Sequence, residues 1–160
     1  MAKVELKAPI IEEIKSAFDG SKGSVLADYR GLTVAEDTDL RKQLREAGVL
    51  YKVYKNTYIK RAIAGTLYEA FSANLEGPTA VAISKTDATA PARILAKFSK
   101  TAPKLELKAG IVEGTYYDAK SILTIAEIPS REELLSRLLG SMKSPITNFA
   151  RVLNQIAEKK

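Results

Sequence analysis

The stretch from Ser24 to Lys55, SVLADYRGLTVAEDTDLRKQLREAGVLYKVYK, decides the fold class. Ser24 to Tyr29 is a short, mostly apolar run that reads as a buried strand. Arg30-Gly31-Leu32 then makes a turn. Thr33 and Glu36 stand three residues apart, so hydroxyl and carboxylate can each satisfy a free backbone N–H at a helix start. The helix they open runs to about Ala47, and Gly48 supplies the turn that ends it. Val49 to Lys55 alternates in polarity as a second strand.

The same alternation of elements extends outward in both directions. Upstream, Ile10, Ile11, Ile14, Ala17 and Phe18 fall on one helical face, in a helix beginning near residue 4 or 9. Downstream, Asn56 is a good N-cap residue for a helix over Thr57 to Ala64, closed by Gly65. A helical stretch over Leu67 to Ala73 follows, and Gly77-Pro78 punctuates it. Thr79 to Ser84 reads as a strand, Ala92 to Phe98 as a helix, Leu105 to Glu113 as a longer strand, and Ala119 to Ala126 as a helix. The expected class is therefore α/β (α+β): a small mixed sheet of four or five strands flanked by helices. No internal repeat is visible.

Pro129-Ser130 marks a boundary, which divides the chain into residues 1–129 and 130–160. Ser130 and Glu133 form another capping-box pair. Leu134, Leu135, Leu138, Leu139 and Met142 give the helix they open an apolar stripe. Ser144-Pro145 restarts or kinks that helix, since Ser caps well and Pro suits a first helical position. Ile146, Phe149, Leu153 and Ile156 then follow at steps of three, four and three, a seam for another helix. The C-terminal segment is thus a helical extension with two successive apolar stripes, and a long exposed stripe calls for a partner.

Composition narrows the function. The 160 residues contain neither His nor Cys. That removes the usual proton shuttle at neutral pH, thiol chemistry, disulfides and ordinary zinc sites. No pair of carboxylates lies isolated in apolar surroundings as acid–base catalysis would need. No enzyme activity, cofactor or metal is expected. No apolar run is long enough to cross a bilayer, and Met1 to Lys7 contain no apolar block of an export signal. The expected location is the cytoplasm.

The net charge is +6, and its position matters more than its size. Between residues 41 and 61 stand Arg41, Lys42, Arg45, Lys52, Lys55, Lys60 and Arg61, with Glu46 as the sole acid. That window alone carries the whole excess, the electrostatic footprint of a polyanion partner. Within it, Tyr51 to Arg61 interleaves cations with Tyr51, Tyr54 and Tyr58 at a strand-to-helix junction. Lys and Arg can neutralise phosphates, the helix start adds N–H donors, and tyrosines can stack on splayed bases. Arg30 and Gly31 end the first strand and are candidates for the same surface. Gly20-Ser21-Lys22-Gly23 lacks the spacing of a nucleotide-binding phosphate loop and is better explained as a turn that stops a helix.

Several segments resemble, in order, the family of bacterial large-subunit ribosomal proteins that form the base of the stalk, protein ten of that subunit. They are Asp28 to Val34, Leu40 to Gly48, Tyr51 to Thr57 with Lys60-Arg61-Ala62, Gly77 to Ala80, Ala109 to Gly114, and Ile128 to Leu135. Ile128 stands where the family more often has Leu. The resemblance implies an N-terminal domain that binds large-subunit ribosomal RNA beside a neighbouring stalk-base protein. It implies a C-terminal helix that carries dimers of the acidic stalk protein, which in turn recruit GTP-bound translation factors. Some bacterial members also repress their own synthesis by binding the messenger's leader.

Carried over by position, the RNA surface comprises Arg30, Gly31, Lys52, Lys55, Asn56, Lys60 and Arg61. The stalk-protein seam comprises Ile146, Phe149, Val152, Leu153 and Ile156. A helix after Ser144 of roughly 24 Å gives room for two dimers. Two other readings compete: a free-standing RNA-binding regulator, and an enzyme acting on phosphorylated substrates through lysine and backbone dipoles.

Overall fold

The computed structural model describes residues 8–158; the expected helix start near residue 4 lies outside that range. The chain divides into two compact units, Met1–Ile128 and Pro129–Lys160.

In the first unit the elements run α1 (Ala8–Phe18), β1 (Gly23–Asp28), α2 (Val34–Glu46), β2 (Val49–Val53), α3 (Asn56–Ile63) and a 3-10 helix (Leu67–Asn74). They continue with β3 (Ala80–Ser84), α4 (Ala90–Thr101), β4 (Glu106–Val112), β5 (Thr115–Asp118) and α5 (Ala119–Ala126). The five strands form one sheet in the order β2-β3-β1-β4-β5. Taken as β1–α2–β2 and β3–α4–β4, this is the split β-α-β arrangement, with α3 and the 3-10 helix inserted between the halves.

The expected class holds, with strand directions now fixed: all four pairings are antiparallel. β1 and β2 do point the same way, as their helical connection requires, but β3 slots between them and opposes both. β5 completes the count at five. Its Thr115-Tyr116-Tyr117-Asp118 pairs only with β4, at the sheet edge.

Side-chain alternation along the central strands explains why they read as unbroken apolar runs. Successive residues point to opposite faces of a sheet. Val25 and Ala27 pack with Leu40 and Leu44 of α2, Leu95 and Phe98 of α4, and Ile122 of α5. Leu26 turns the other way, towards Ile14 and Phe18 of α1, Ile59 and Ile63 of α3, and Phe71 of the 3-10 helix. Both faces of β1 and β3 are therefore covered by helices, and all five residues of β3 are buried.

One irregularity breaks the alternation. Leu26 faces Ala109 across the β1–β4 pairing, while Ala27 faces Leu107, so Lys108 is an extra residue in β4. This is a β-bulge, which re-aims side chains. Leu107 packs towards the α2/α4/α5 side and Ala109 lies in the opposite core, although residues two apart in a regular strand share a face.

Helix starts depart from sequence expectation where the chain turns one residue early or a side chain finds a better partner. Thr33 and Glu36 make the full reciprocal capping box. Asn56 is not the cap of α3. Lys55 takes that place without a side-chain cap, and its carbonyl accepts from Tyr58 and Ile59 N–H. The Asn56 amide instead donates to the Leu75 and Gly77 carbonyls at 3.2 and 2.8 Å.

The second unit is one helix, α6 (Arg131–Glu158), with Pro145 inside it. It does not restart at Ser144. The Ser144 hydroxyl accepts from the Asn148 amide at 3.3 Å. Only half of the Ser130 capping box forms: the Glu133 N–H reaches the Ser130 hydroxyl, but the Glu133 carboxylate pairs with Arg137 one turn on.

A candidate nucleic-acid interface and an uncovered helix

α3 owes its orientation to three apolar residues. Ile59, Ala62 and Ile63 are buried against α1 and the sheet. Their spacing leaves Thr57, Lys60 and Arg61 exposed on the opposite side. At the N-terminus of α3, Lys55 is exposed and the first-turn N–H groups receive no side-chain cap. An open cleft there is lined by Tyr29, Val53, Tyr54, Lys55, Asn56, Thr57 and the Gly77-Pro78-Thr79 turn. Such a mouth offers N–H donors, a cation and partly apolar walls to an anionic ligand.

Arg30 and Gly31 follow directly on Tyr29 of that cleft. The Arg30 N–H donates to Asp28 Oδ1 at 2.9 Å, so the carboxylate shapes the turn. Gly31 has φ +89°, a left-handed conformation that glycine adopts without strain. A Cβ at Gly31 would lie 3.1 Å from Cδ of Lys104, so an exposed lysine shares the neighbourhood of Arg30. Lys104 has no local sequence signal; it lies beyond the end of α4, and only tertiary packing brings it here.

The seven-cation window does not form one patch. α2 buries Leu40 and Leu44 on one side of the sheet, while α3 buries Ile59 and Ile63 on the other. Arg41, Lys42 and Arg45 on α2 are therefore separated by the sheet from Lys60 and Arg61 on α3. Two of the cations also meet acids. Arg41 pairs with Asp37 at 2.7 Å and sits 5.1 Å from the centre of the Tyr51 ring. Lys52 donates to Glu13 of α1, and this hydrogen bond holds the Glu13 carboxyl below its ordinary range and pushes the Lys52 ammonium up.

The tyrosines divide as well. Tyr51 is 8% exposed and lies in the core, so it is not a platform for stacking bases. Burial, reinforced by the charge of Asp37, pushes its hydroxyl up to about 12. Tyr54 and Tyr58 are half-buried against the opposite core. What the cleft brings together is Tyr29 with Lys55 and Asn56; Arg30 and Gly31 follow Tyr29 in the chain, and Lys60 and Arg61 lie one turn further along the exposed side of α3. Among the described residues no acid pairs with Arg30, Lys55, Lys60, Arg61 or Lys104.

α6 presents different chemistry. Leu134, Leu135, Leu138, Leu139, Met142, Ile146, Phe149, Val152, Leu153 and Ile156 are all exposed large apolar residues. Because the helix continues through Pro145, the two stripes become one seam about 33 Å long, from Leu134 to Ile156. From Leu134 to Ala157 the helix carries Arg137, Lys143 and Arg151 and no acid. Among the described residues, no helix is long and apolar enough to cross a membrane.

Fold and surfaces define a class: an assembly protein that offers cations from one unit and an uncovered apolar seam from the other. Comparison with known proteins supplies the family. The family model described as Ribosomal protein L10 matches residues 2–100, and that of the Ribosomal protein uL10 C-terminal region matches residues 128–160. The chain is 49% identical to a protein of Clostridioides difficile (strain 630), over 98% of this chain and 94% of the relative. It is also 49% identical to one of Alkaliphilus metalliredigens (strain QYMF), over 100% and 97%. A relative from Bacillus licheniformis is 45% identical over 98% and 95%. Each is named large ribosomal subunit protein uL10. The chain belongs to the ribosomal protein L10 family, structural constituents of the large ribosomal subunit and not enzymes.

Proposed function

We propose that residues 1–129 bind large-subunit ribosomal RNA and that residues 130–160 carry dimers of the acidic stalk protein. The RNA surface is Arg30, Gly31, Lys55, Asn56, Lys60 and Arg61, joined by Lys104, with Lys52 contributing when Glu13 releases it. The observation that carries this half is the uncapped start of α3 beside cations that, among the described residues, no acid pairs with. The stalk half is supported by the apolar seam, centred on Ile146, Phe149, Val152, Leu153 and Ile156, on a helix stretch whose charges are all positive. Cations flanking an apolar seam suit an acidic helical partner.

In this reading the protein sits in the cytoplasm on the ribosome, beside another stalk-base protein, and supports recruitment of GTP-bound translation factors indirectly. Repression of its own messenger would use the same RNA surface.

The test separates the halves. Deleting Ser144 to Lys160 should abolish capture of the acidic stalk protein while affinity for ribosomal RNA stays within about twofold. RNA affinity of the full chain should fall steeply with salt. A truncated chain that still held the partner would refute the tail assignment; a flat salt titration would refute the RNA surface.

A further inference from the structure

Lys108 looks like one more cation for RNA, yet its ammonium is spoken for. Its side chain is 18% exposed. Nζ donates to the carbonyls of Glu76 at 2.8 Å and Pro78 at 2.6 Å and lies 3.4 Å from the Thr79 hydroxyl. It also pairs at 3.4 Å with Oδ2 of Asp28, itself 16% exposed. Oδ1 of the same Asp28 accepts the Arg30 N–H. On the far side, the Gly77 carbonyl, between the two that Lys108 holds, accepts from the Asn56 amide at the start of α3.

A continuous chain of polar contacts therefore runs from Arg30 through Asp28, Lys108 and the 76–79 turn to Asn56. It joins two parts of the candidate RNA surface that lie 26 residues apart in sequence. The backbone is built for it: Lys108 is the bulge residue of β4, released from the alternation that fixes its neighbours' directions.

We infer that Lys108 and Asp28 form a positioning pair that holds the Arg30 turn and the start of α3 in register for RNA, without Lys108 touching RNA itself. This rests on the RNA-binding reading above. A cation that is partly buried and bonded to carbonyls releases no phosphate counterion on binding, whereas Lys55 should. The two roles differ in salt dependence as well as in affinity.

The experiment measures binding of the full chain to purified large-subunit ribosomal RNA across a potassium chloride series. Lys55→Ala should weaken binding and flatten the log–log salt slope by about one. Lys108→Met should weaken binding about tenfold, as loss of an orienting partner does, while leaving the slope unchanged. Asp28→Asn, which keeps an acceptor for Arg30 but removes the charge facing Lys108, should show a smaller loss at unchanged slope. Added to Lys108→Met it should cost nothing more.

Amide hydrogen exchange at Arg30, whose N–H donates to Asp28, should speed up in both variants in the free protein. If Lys108→Met does not fold, Asp28→Asn carries the same test. A Lys108→Met slope that flattens like that of Lys55→Ala, or an affinity that does not change, would overturn the positioning role. An unaltered Lys55→Ala would instead bring down the RNA surface itself.

Discussion

The two units use apolar residues in opposite ways. In the first, Phe71 is fully buried between the sheet and its flanking helices. In α6, Phe149 is 66% exposed, and so are its apolar neighbours along the seam. The first unit closes its own core on both faces of a sheet. The helix is built without one, and in the proposed function both its stability and its role depend on the partner that covers the seam. An interior Pro, which costs about 3 kcal/mol in a helix, sharpens that dependence.

The same substitution in each unit should break the comparison most clearly. Phe71→Ala should destabilise the first unit by about 3–5 kcal/mol, read by thermal or denaturant unfolding. Phe149→Ala should leave that transition within about 0.5 kcal/mol of wild type while weakening capture of the acidic stalk protein. Equal effects on unfolding would mean that the seam packs within the chain.

A smaller effect separates locally encoded from partner-encoded stability. Thr33→Ala should cost about 1 kcal/mol through loss of the α2 cap. The reciprocal half of that cap is titratable. The Thr33 backbone N–H, then its hydroxyl, holds the Glu36 carboxyl below its ordinary 4.5, with Lys104 adding a little. A depressed native value means stability that is present above the unfolded value and lost as pH falls through the native one. The melting-temperature gap between wild type and Glu36→Gln should therefore be open at pH 7 and close in acid. A gap that persisted at the acid end would assign the effect to packing.

The smallest expected effect concerns the RNA surface. Glu13→Gln should free Lys52, raise RNA affinity slightly at low salt and steepen the salt slope. No change in slope would leave Lys52 outside the interface.

Legibility in sequence followed the range of the interaction. The Thr33–Glu36 box was readable because both partners lie within one helical turn. β5 was missed because a four-residue edge strand is defined by its pairing with β4 and has little burial of its own. The half-formed Ser130 box shows the limit of even local signals: Glu133 had a second partner, Arg137, one turn ahead.

The candidate site divides in the same way. Lys55, Lys60 and Arg61 were visible as part of a charge excess, since charge is a property of the residues themselves. The partner of Arg41, Asp37, lies one turn away in α2 itself, whereas the matching of Lys52 by Glu13 of α1 and the burial of Tyr51 depended on helices packed from other parts of the chain. Lys104 and Lys108 were invisible as site residues for the same reason.

By itself the sequence determined the α+β class, the break before Ser130, the absence of His and Cys chemistry and the amphipathic character of the tail, because composition and periodicity act over short distances. Only the tertiary structure decided that the sheet separates the cations of α2 from those of α3, which tyrosines are buried, and that a bulge in β4 ties Arg30 to α3. Those outcomes turn on long-range contacts, and in them each charge or hydrogen-bonding group takes the partner that folding brings within reach.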